Sequence, residues 1–318
     1  MTALEKLGLV GLVPVIKIED AGDAVPLCRA LAQGGLPVAE ITFRTDAAEE
    51  SIRRVNAELP DVILGAGTVL TIDQAKRAVD AGATYIVSPG LNPAVVGWCA
   101  ENGVPILPGC ATPSDIEAAL GFGIATVKFF PAEALGGLKL IKAMSAPYGN
   151  VSFVPTGGID EKNVGEYLAF DKVLAIGGSW MAPADAIRAR DWDLIATLAA
   201  GAVKKVLGLE LRHVGINSGD PETARADALL LASLLGWSVS EGTKSIMVGD
   251  AFELMNAPGR GQRGHIAIAT DSVERAMFHL GLRGFEFEDA PIGYKNGRIS
   301  AIYLKREIAG FAVHLLRK

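Results

Sequence analysis

The chain has 318 residues, half of them apolar, and its 30 Lys and Arg residues face 36 Asp and Glu residues. No run of basic residues is present that would neutralise a phosphate backbone, so we expect no nucleic-acid partner. Charges interrupt the apolar stretch of the first 20 residues, so we expect neither a signal peptide nor a membrane span. The three cysteines form no C-x-x-C pair, which argues against a disulfide framework and a cysteine-rich zinc module and favours a cytoplasmic protein.

All four histidines, His213, His265, His279 and His314, lie in the last third of the chain. Any chemistry in the first 212 residues must therefore proceed without a histidine base or a histidine-bound metal. Residues 206–318 carry 13 acidic and 13 basic groups, so the net charge of −6 belongs entirely to the first part. The length predicts about two domains, and the charge split agrees with a boundary between residues 1–205 and residues 206–318.

Between residues 13 and 200, eight short β-rich runs alternate with amphipathic helical patterns. This alternation is typical of βα units around a parallel sheet, and eight repeats predict an α/β fold, a compact TIM (β/α)8 barrel. A doubly wound open sheet is the alternative, but no G-x-G-x-x-G turn follows the first run. The runs begin at Val13, Pro37, Val62, Thr84, Val104, Ala125, Ser152 and Lys172.

The rhythm changes near Gly208. From there a strand, a helix and three short strands follow one another, and the same order is then repeated to the end of the chain. This pattern predicts a smaller α+β domain made of paired βαβββ modules.

The second and sixth β-rich runs carry the charged residues of greatest interest in the barrel. AEITFRT places Glu40, Thr42 and Arg44 on one face by the period of two, although a structural ion pair is the alternative reading. Lys128 is the only charged residue of ATVKFF, and burial would favour its neutral, nucleophilic amine, which forms Schiff bases with carbonyl compounds. The alternative is a lysine that extends into solvent from a strand end.

Paired glycines follow the seventh and eighth runs, in PTGGID and IGGSWM. The loops after strands seven and eight commonly bind phosphate in TIM barrels, because glycine lets backbone N–H groups approach the anion closely. The pairs therefore predict a phosphate site.

The segments GGLPVAEITFRT, GAGTVL, VSPG, GIATVKFFPAEALGG, FVPTGG and IGGSW occur in this order. Together they resemble the 2-keto-3-deoxy-6-phosphogluconate (KDPG) and 4-hydroxy-2-oxoglutarate (KHG) aldolases over about residues 4–205. The resemblance implies a class I lyase without a cofactor, in which Lys128 forms the Schiff base and Glu40 is the general acid and base. It also implies that the substrate is bound by Arg44, Thr68, Pro89, Phe130, Thr156, Gly157, Gly158, Gly177, Gly178 and Ser179.

The reaction that this resemblance implies is the reversible cleavage of KDPG to pyruvate and glyceraldehyde 3-phosphate. Thr156 suits a phosphogluconate substrate, while the galactonate epimer and 4-hydroxy-2-oxoglutarate remain open. The expected partner is a small phosphorylated keto acid. The resemblance further implies a homo-oligomer, commonly a homotrimer.

In the second part, ELRHVGIN, DAFELMN, GHIAIAT and FAVHLLRK resemble the vicinal oxygen chelate (glyoxalase-like) superfamily over residues 208–318. The resemblance implies a divalent transition metal held by His213, Glu253, His265 and His314, with His279 outside the site. Glyoxalases usually carry an acidic residue at the position of His314, which argues against an isomerase that uses that carboxylate as its base.

Three readings of the whole chain follow from these patterns. In the first, the second domain is structural or accessory to an aldolase. In the second, the protein is bifunctional and its second domain is a metal-dependent lyase, isomerase or binding module. The third, an inactive barrel used only for binding, is disfavoured because Glu40, Arg44, Lys128 and both glycine pairs are present.

Overall fold

Eight short strands alternate with helices in the first part of the chain, as the βα pattern predicts. The computed structural model describes residues 1–318, and its contacts divide the chain into two units, Met1–Val206 and Leu207–Lys318. The strands of the first unit are β1 Leu12–Ile16, β2 Val38–Thr42, β3 Ile63–Gly67, β4 Tyr85–Val87, β5 Ile106–Leu107, β6 Thr126–Phe129, β7 Ser152–Pro155 and β8 Ile176–Gly178. The helices are α1 Ala3–Val10, α2 Ala24–Gln33, α3 Ala48–Glu58, α4 Ile72–Asp80, α5 Pro93–Glu101, α6 Pro113–Gly121, α7 Gly137–Ser145, α8 Val164–Leu168, α9 Ala184–Ala189 and α10 Trp192–Leu207.

The eight strands follow one another around a TIM-like ring. Six of them form a parallel sheet in the order β5-β4-β3-β2-β1-β8, and β6 and β7 form a parallel pair. Parallel bridges join Gly109 to Lys128 and Thr156 to Gly177, which links this pair to the six-stranded sheet at both ends. Neighbours in sequence are thus neighbours in space, whereas a doubly wound sheet would reverse its strand order.

Three paired residues on neighbouring strands, Glu40, Gly65 and Tyr85, form a row inside the barrel. Glu40 on β2 pairs with Gly65 on β3, and Gly65 pairs with Tyr85 on β4. Side chains of paired residues point to the same face of a sheet, so Glu40 and Tyr85 flank a residue that has no side chain.

Local capping fixes the helix that follows β3. The side chain of Thr71 accepts a hydrogen bond from Gln74 N at the start of α4, and Gly82 has a φ of +110° just beyond its end. Both features satisfy backbone groups that a helix terminus leaves unpaired. No helix in either unit combines the length and the apolar composition needed to cross a bilayer.

The second unit repeats the order strand, helix, three strands. Its sheet is mixed, with eight strands in the order β10-β11-β12-β9-β13-β16-β15-β14, and the first strands of the two repeats, β9 and β13, pair antiparallel at its centre. The first repeat comprises β9 Glu210–Asn217, α11 Pro221–Leu235, β10 Val239–Glu241, β11 Ser245–Val248 and β12 Phe252–Met255. The second comprises β13 Gly264–Thr270, α12 Val273–Gly281, β14 Gly293–Lys295, β15 Arg298–Tyr303 and β16 Phe311–Arg317.

A stripe of alanines anchors α11 to the sheet of this unit. Ala224, Ala228 and Ala232 recur at a spacing of four and pack against buried side chains of β11 and β12. Small side chains let the helix approach the sheet closely, so the space above Ala228 is filled by its neighbours. Leu230, on the same helix, is 72% exposed.

Replacing Ala228 with leucine should therefore destabilise the second unit. Helix propensity barely changes, so the effect is overpacking, and we expect the free energy of unfolding to fall by about 2 kcal/mol. Thermal and denaturant unfolding, with hydrogen exchange resolving the 207–318 unit, measure it. The matched control is Leu230→Ala, which should change this free energy by less than about 0.5 kcal/mol. Equal losses in the two variants would contradict the packing described here.

Candidate functional site

Two charged side chains meet inside the barrel. Lys128 Nζ on β6 lies 3.5 Å from Glu40 Oε1 on β2, and the two residues are 6% and 3% exposed. Lys128 is held at the joint between strands, since its N–H donates to Pro108 O and its carbonyl accepts from Cys110 N. The ring of Phe130 lies beneath the amine, with its centroid 5.2 Å from Nζ. An amine shielded from water and paired with a single carboxylate can act as a nucleophile with a proton carrier beside it.

Glycine on β3 makes room for the carboxylate. A Cβ atom at Gly67 would lie 2.2 Å from Glu40 Oε1, so the glutamate side chain rests directly against the backbone of Gly67. Any larger residue there would push the carboxylate away from its present position. Gly67 thus fixes the position of the Glu40 carboxylate.

Thr42 ties the end of β2 to its neighbour and to Arg44. Its hydroxyl donates to Ile16 O at 2.9 Å and accepts from Arg44 Nε at 3.0 Å. The expectation that Arg44 shares a strand face with Glu40 and Thr42 is wrong in one respect, because β2 ends at Thr42. Arg44 N donates to Thr42 O, and this tight turn takes the exposed Arg44 out of the sheet.

Thr68 and Pro89 follow the C-terminal ends of β3 and β4. Thr68 has a φ of +56°, a conformation that is strained for a β-branched residue and that is concentrated at functional sites. The carbonyl of Pro89 approaches Gly109 so closely that a Cβ there would lie 2.0 Å from the oxygen. The loops after β3, β4 and β5 therefore converge at the same end of the barrel.

The two glycine pairs lie on the adjacent strand ends of β7 and β8. Thr156 bridges Gly177, whose missing Cβ would lie 2.3 Å from Thr156 Oγ1. Gly157 and Gly158 have φ values of +100° and +79°, which side chains rarely permit. The same loop is bound to the segment after β6, since Ala132 N and Glu133 N donate to its carbonyls. This end of the barrel thus brings together Thr156, Gly157, Gly158, Gly177, Gly178 and the exposed Ser179.

In the second unit, three histidines and one glutamate converge on the sheet. His213 on β9, His265 on β13 and His314 on β16 offer ligand atoms that all lie within 4.8 Å of one another. Glu253 Oε2 on β12 is 3.3 Å from His213 Nε2 and 3.0 Å from His265 Nε2, and these two nitrogens are 3.1 Å apart. Ligand atoms around a tetrahedral metal with bonds of about 2.0–2.1 Å are themselves about 3.3 Å apart.

The buried surroundings shape the charges of this cluster. Hydrogen bonds from His213 and His265 hold the pKa of Glu253 well below its usual range, so this group is a carboxylate. Burial, with His265 and His213 nearby, lowers the pKa of His314 to about 4. Neither ring nitrogen of His314 has a hydrogen-bond partner, although the residue is buried. A neutral imidazole with a free nitrogen lone pair beside a carboxylate fits the donor set of a divalent transition metal.

His279 lies on α12, outside this cluster.

Several residues next to the two sites, Gly65 and Gly67 among them, are not found by sequence reasoning. Ser245 donates its hydroxyl to Glu253 Oε1 at 2.5 Å, and Gly215 leaves space for the ring of His265, which a Cβ there would approach to 2.1 Å. Tyr85 lies in the row that contains Glu40. The alternating glycines of GAG and the pairing of HVGI with GHIA are the sequence signals that point to such packing.

The comparisons with known proteins concern the first unit. The family model described as KDPG and KHG aldolase matches residues 4–198. The 2-dehydro-3-deoxy-phosphogluconate aldolase of Treponema pallidum is 52% identical over 63% of this chain and 95% of its own length. The KHG/KDPG aldolase of Escherichia coli is 44% identical over 61% of this chain and 91% of its own length.

A solved structure shows the same architecture. The KDPG aldolase of Legionella pneumophila, captured with pyruvate as a covalent carbinolamine, is 38% identical with a TM-score of 0.62, over 64% of this chain and 98% of its own. With a matching strand ring and a family model that covers more than half of its residues, the chain belongs to the KDPG and KHG aldolase family.

Proposed function

We propose that the first unit cleaves KDPG reversibly to pyruvate and glyceraldehyde 3-phosphate through a Schiff base on Lys128. The observation that carries this proposal is the buried pair of Lys128 and Glu40, 3.5 Å apart, in a member of an aldolase family. The covalent pyruvate adduct of the Legionella relative supports the same chemistry. The class I mechanism requires no cofactor.

Each step of the reaction has a group to perform it. Lys128 passes a proton to Glu40, its free amine attacks the C2 carbonyl, and the carbinolamine loses water to give an iminium ion. Glu40 supplies the proton that leaves with this water and then, as a carboxylate, removes the proton of the C4 hydroxyl. The C3–C4 bond breaks, its electrons flow into the iminium, and glyceraldehyde 3-phosphate departs. Glu40 returns its proton to C3 of the enamine, and water releases pyruvate from Lys128.

The remaining site residues hold the two ends of the substrate. Arg44 and Thr68 bind the keto-acid carboxylate, and Pro89 and Phe130 line the pocket between them and the amine. The phosphate is held by Gly157, Gly158, Gly177, Gly178 and Ser179. Thr156 beside Gly177 suits a phosphogluconate chain, while the galactonate epimer and 4-hydroxy-2-oxoglutarate are the competing substrates.

A second proposal concerns residues 207–318. We propose that His213, Glu253, His265 and His314 hold one divalent transition metal in a domain of the vicinal oxygen chelate type. The convergence of their ligand atoms and the unpartnered nitrogens of buried His314 support it. When bound, such a metal polarises an oxygen atom of a small ligand. His314 stands where a glyoxalase has its acidic residue, so the domain would serve as an accessory or as a second activity other than that isomerase.

The assembly and the location of the protein are proposals of the same kind. A homotrimer is the state that the family resemblance implies for the barrel. The cysteine pattern favours the cytoplasm, because all three thiols are free and buried.

The Schiff base is tested by reduction with borohydride in the presence of pyruvate. Pyruvate should become attached to Lys128, shown by peptide mass spectrometry, because reduction makes the imine permanent. The variant Lys128→Met should neither trap pyruvate nor cleave KDPG. Lys142→Met, at a lysine on α7, is the matched control and should retain both properties. Failure of the unaltered protein to trap pyruvate would overturn the mechanism.

The close contact at Gly67 gives a second prediction for the aldolase. In Gly67→Ala the new methyl group displaces the Glu40 carboxylate, and we expect kcat to fall at least about tenfold, since misplacement by about 1 Å is costly to catalysis. Steady-state kinetics measure the effect. Gly201→Ala is the matched control, because its Cβ would meet nothing within 4 Å on α10. Equal kcat values in the two variants would contradict the role of Gly67.

The metal proposal predicts one equivalent of a divalent transition metal per chain. Titration of the full-length protein with Zn²⁺ or Mn²⁺ should show one site, and at 100 times the Kd the metal should stabilise the second unit by about 2.7 kcal/mol. His265→Ala should lose this binding and this shift, whereas His279→Ala should keep them if circular dichroism shows that it folds. The absence of stoichiometric binding in the unaltered protein would refute the site.

A further inference from the structure

Tyr85 is a fully buried phenol that the steps above do not use. It lies on β4 with no exposed surface, in register with Gly65, which in turn is in register with Glu40. A Cβ at Gly65 would lie 2.1 Å from Tyr85 Cζ, the carbon that bears the hydroxyl. The ring therefore extends from β4 across β3 and presents its hydroxyl end towards β2, the strand of Glu40.

The polar atoms at the two ends of this row, on Tyr85 and on Glu40, lack hydrogen-bond partners. The hydroxyl of Tyr85 and Oε1 of Glu40 are buried and make no hydrogen bond, and Lys128 Nζ lies 3.5 Å from the same Oε1. Buried polar groups usually find partners, either directly or through an enclosed water molecule. A phenylalanine would fill the same volume without an unpaired hydroxyl, so packing alone does not account for a tyrosine at this position.

The electrostatics of the row make the phenol a donor. Burial raises the pKa of Tyr85 well above its usual value, and the charge of Glu40 raises it further. The phenol thus keeps its proton and can offer it to an acceptor throughout the working range of pH. This tyrosine from β4 and Lys128 from β6 are among the titratable groups that interact with Glu40.

We propose that Tyr85 is a positioning residue for Glu40, and that its hydroxyl donates a hydrogen bond to the Glu40 carboxylate through one bridging water. Tyr85 touches no substrate. The hydrogen bond orients the carboxylate between β3 and Lys128 and favours its ionised form. This inference rests on the proposed aldolase function, in which Glu40 moves the protons.

The substitution Tyr85→Phe tests the proposal, because it removes the hydroxyl and keeps the ring. We expect kcat to fall at least about tenfold, the loss that one hydrogen bond to a charged group would cause, while KM changes less than about twofold. The acidic limb of the kcat/KM profile should move to higher pH, since a carboxylate that loses a donor ionises less readily. Exchange of the pyruvate methyl protons should slow more than trapping by borohydride does.

A double-mutant cycle shows whether Tyr85 acts through Glu40. In the Glu40→Gln background the further change Tyr85→Phe should have no effect on kcat, because the group it positions is gone. Tyr148→Phe is the matched control, since Tyr148 also donates to a glutamate, Glu117, but on the surface. Circular dichroism and thermal unfolding establish that each variant folds.

The outcomes are distinct. If the unaltered protein traps pyruvate and cleaves KDPG while Tyr85→Phe matches Tyr148→Phe in kcat and in its pH profile, the inference is overturned and the aldolase function stands. A loss of kcat that persists undiminished in the Glu40→Gln background also overturns it. If the unaltered protein neither traps pyruvate nor cleaves KDPG, the proposed function itself fails.

Discussion

The first unit depends on one constraint, namely that an amine and a carboxylate must share a barrel interior from which water is largely excluded. Either charge alone would be costly to bury, and removing one partner leaves the other uncompensated. The 3.5 Å separation of Lys128 and Glu40 relieves this cost, because each charge partly compensates the other. The fold tolerates this pair because the two charges lie close together. The same proximity would let a proton pass between substrate and enzyme.

Both units make space in the same way, by placing glycine beside a long side chain of a candidate site. Gly67 receives the Glu40 carboxylate, Gly65 receives the Tyr85 ring, and in the second unit Gly215 receives the ring of His265. In a sheet, side chains on adjacent strands stand about 5 Å apart, so a long one can lean only where its neighbour has none. These glycines therefore determine where the neighbouring side chains lie.

The sequence carried enough information to predict the strands and the principal charged residues, but it did not predict all their neighbours. The eight β-rich runs and the isolated charge of Lys128 are local patterns, which a period of two and an apolar run reveal. The alternating pattern continues past Thr42 and predicts Arg44 on the strand, whereas a hydrogen bond from Arg44 N to Thr42 O closes a turn there. The proximity of Tyr85 to Glu40 depends on the register of three strands, and one sequence does not specify register between distant segments.

The uneven distribution of histidine has a physical meaning in each unit. In the barrel, a carboxylate and an amine can perform the proton transfers, so imidazole is not required. In the second unit, the sheet brings three imidazoles together and leaves both nitrogens of His314 without partners beside a carboxylate. Such an arrangement stabilises no fold by itself, because unpaired buried groups cost free energy. A bound cation would be a common partner for all the ligand atoms. The arrangement costs free energy of folding without the cation and would stabilise the folded second unit with it.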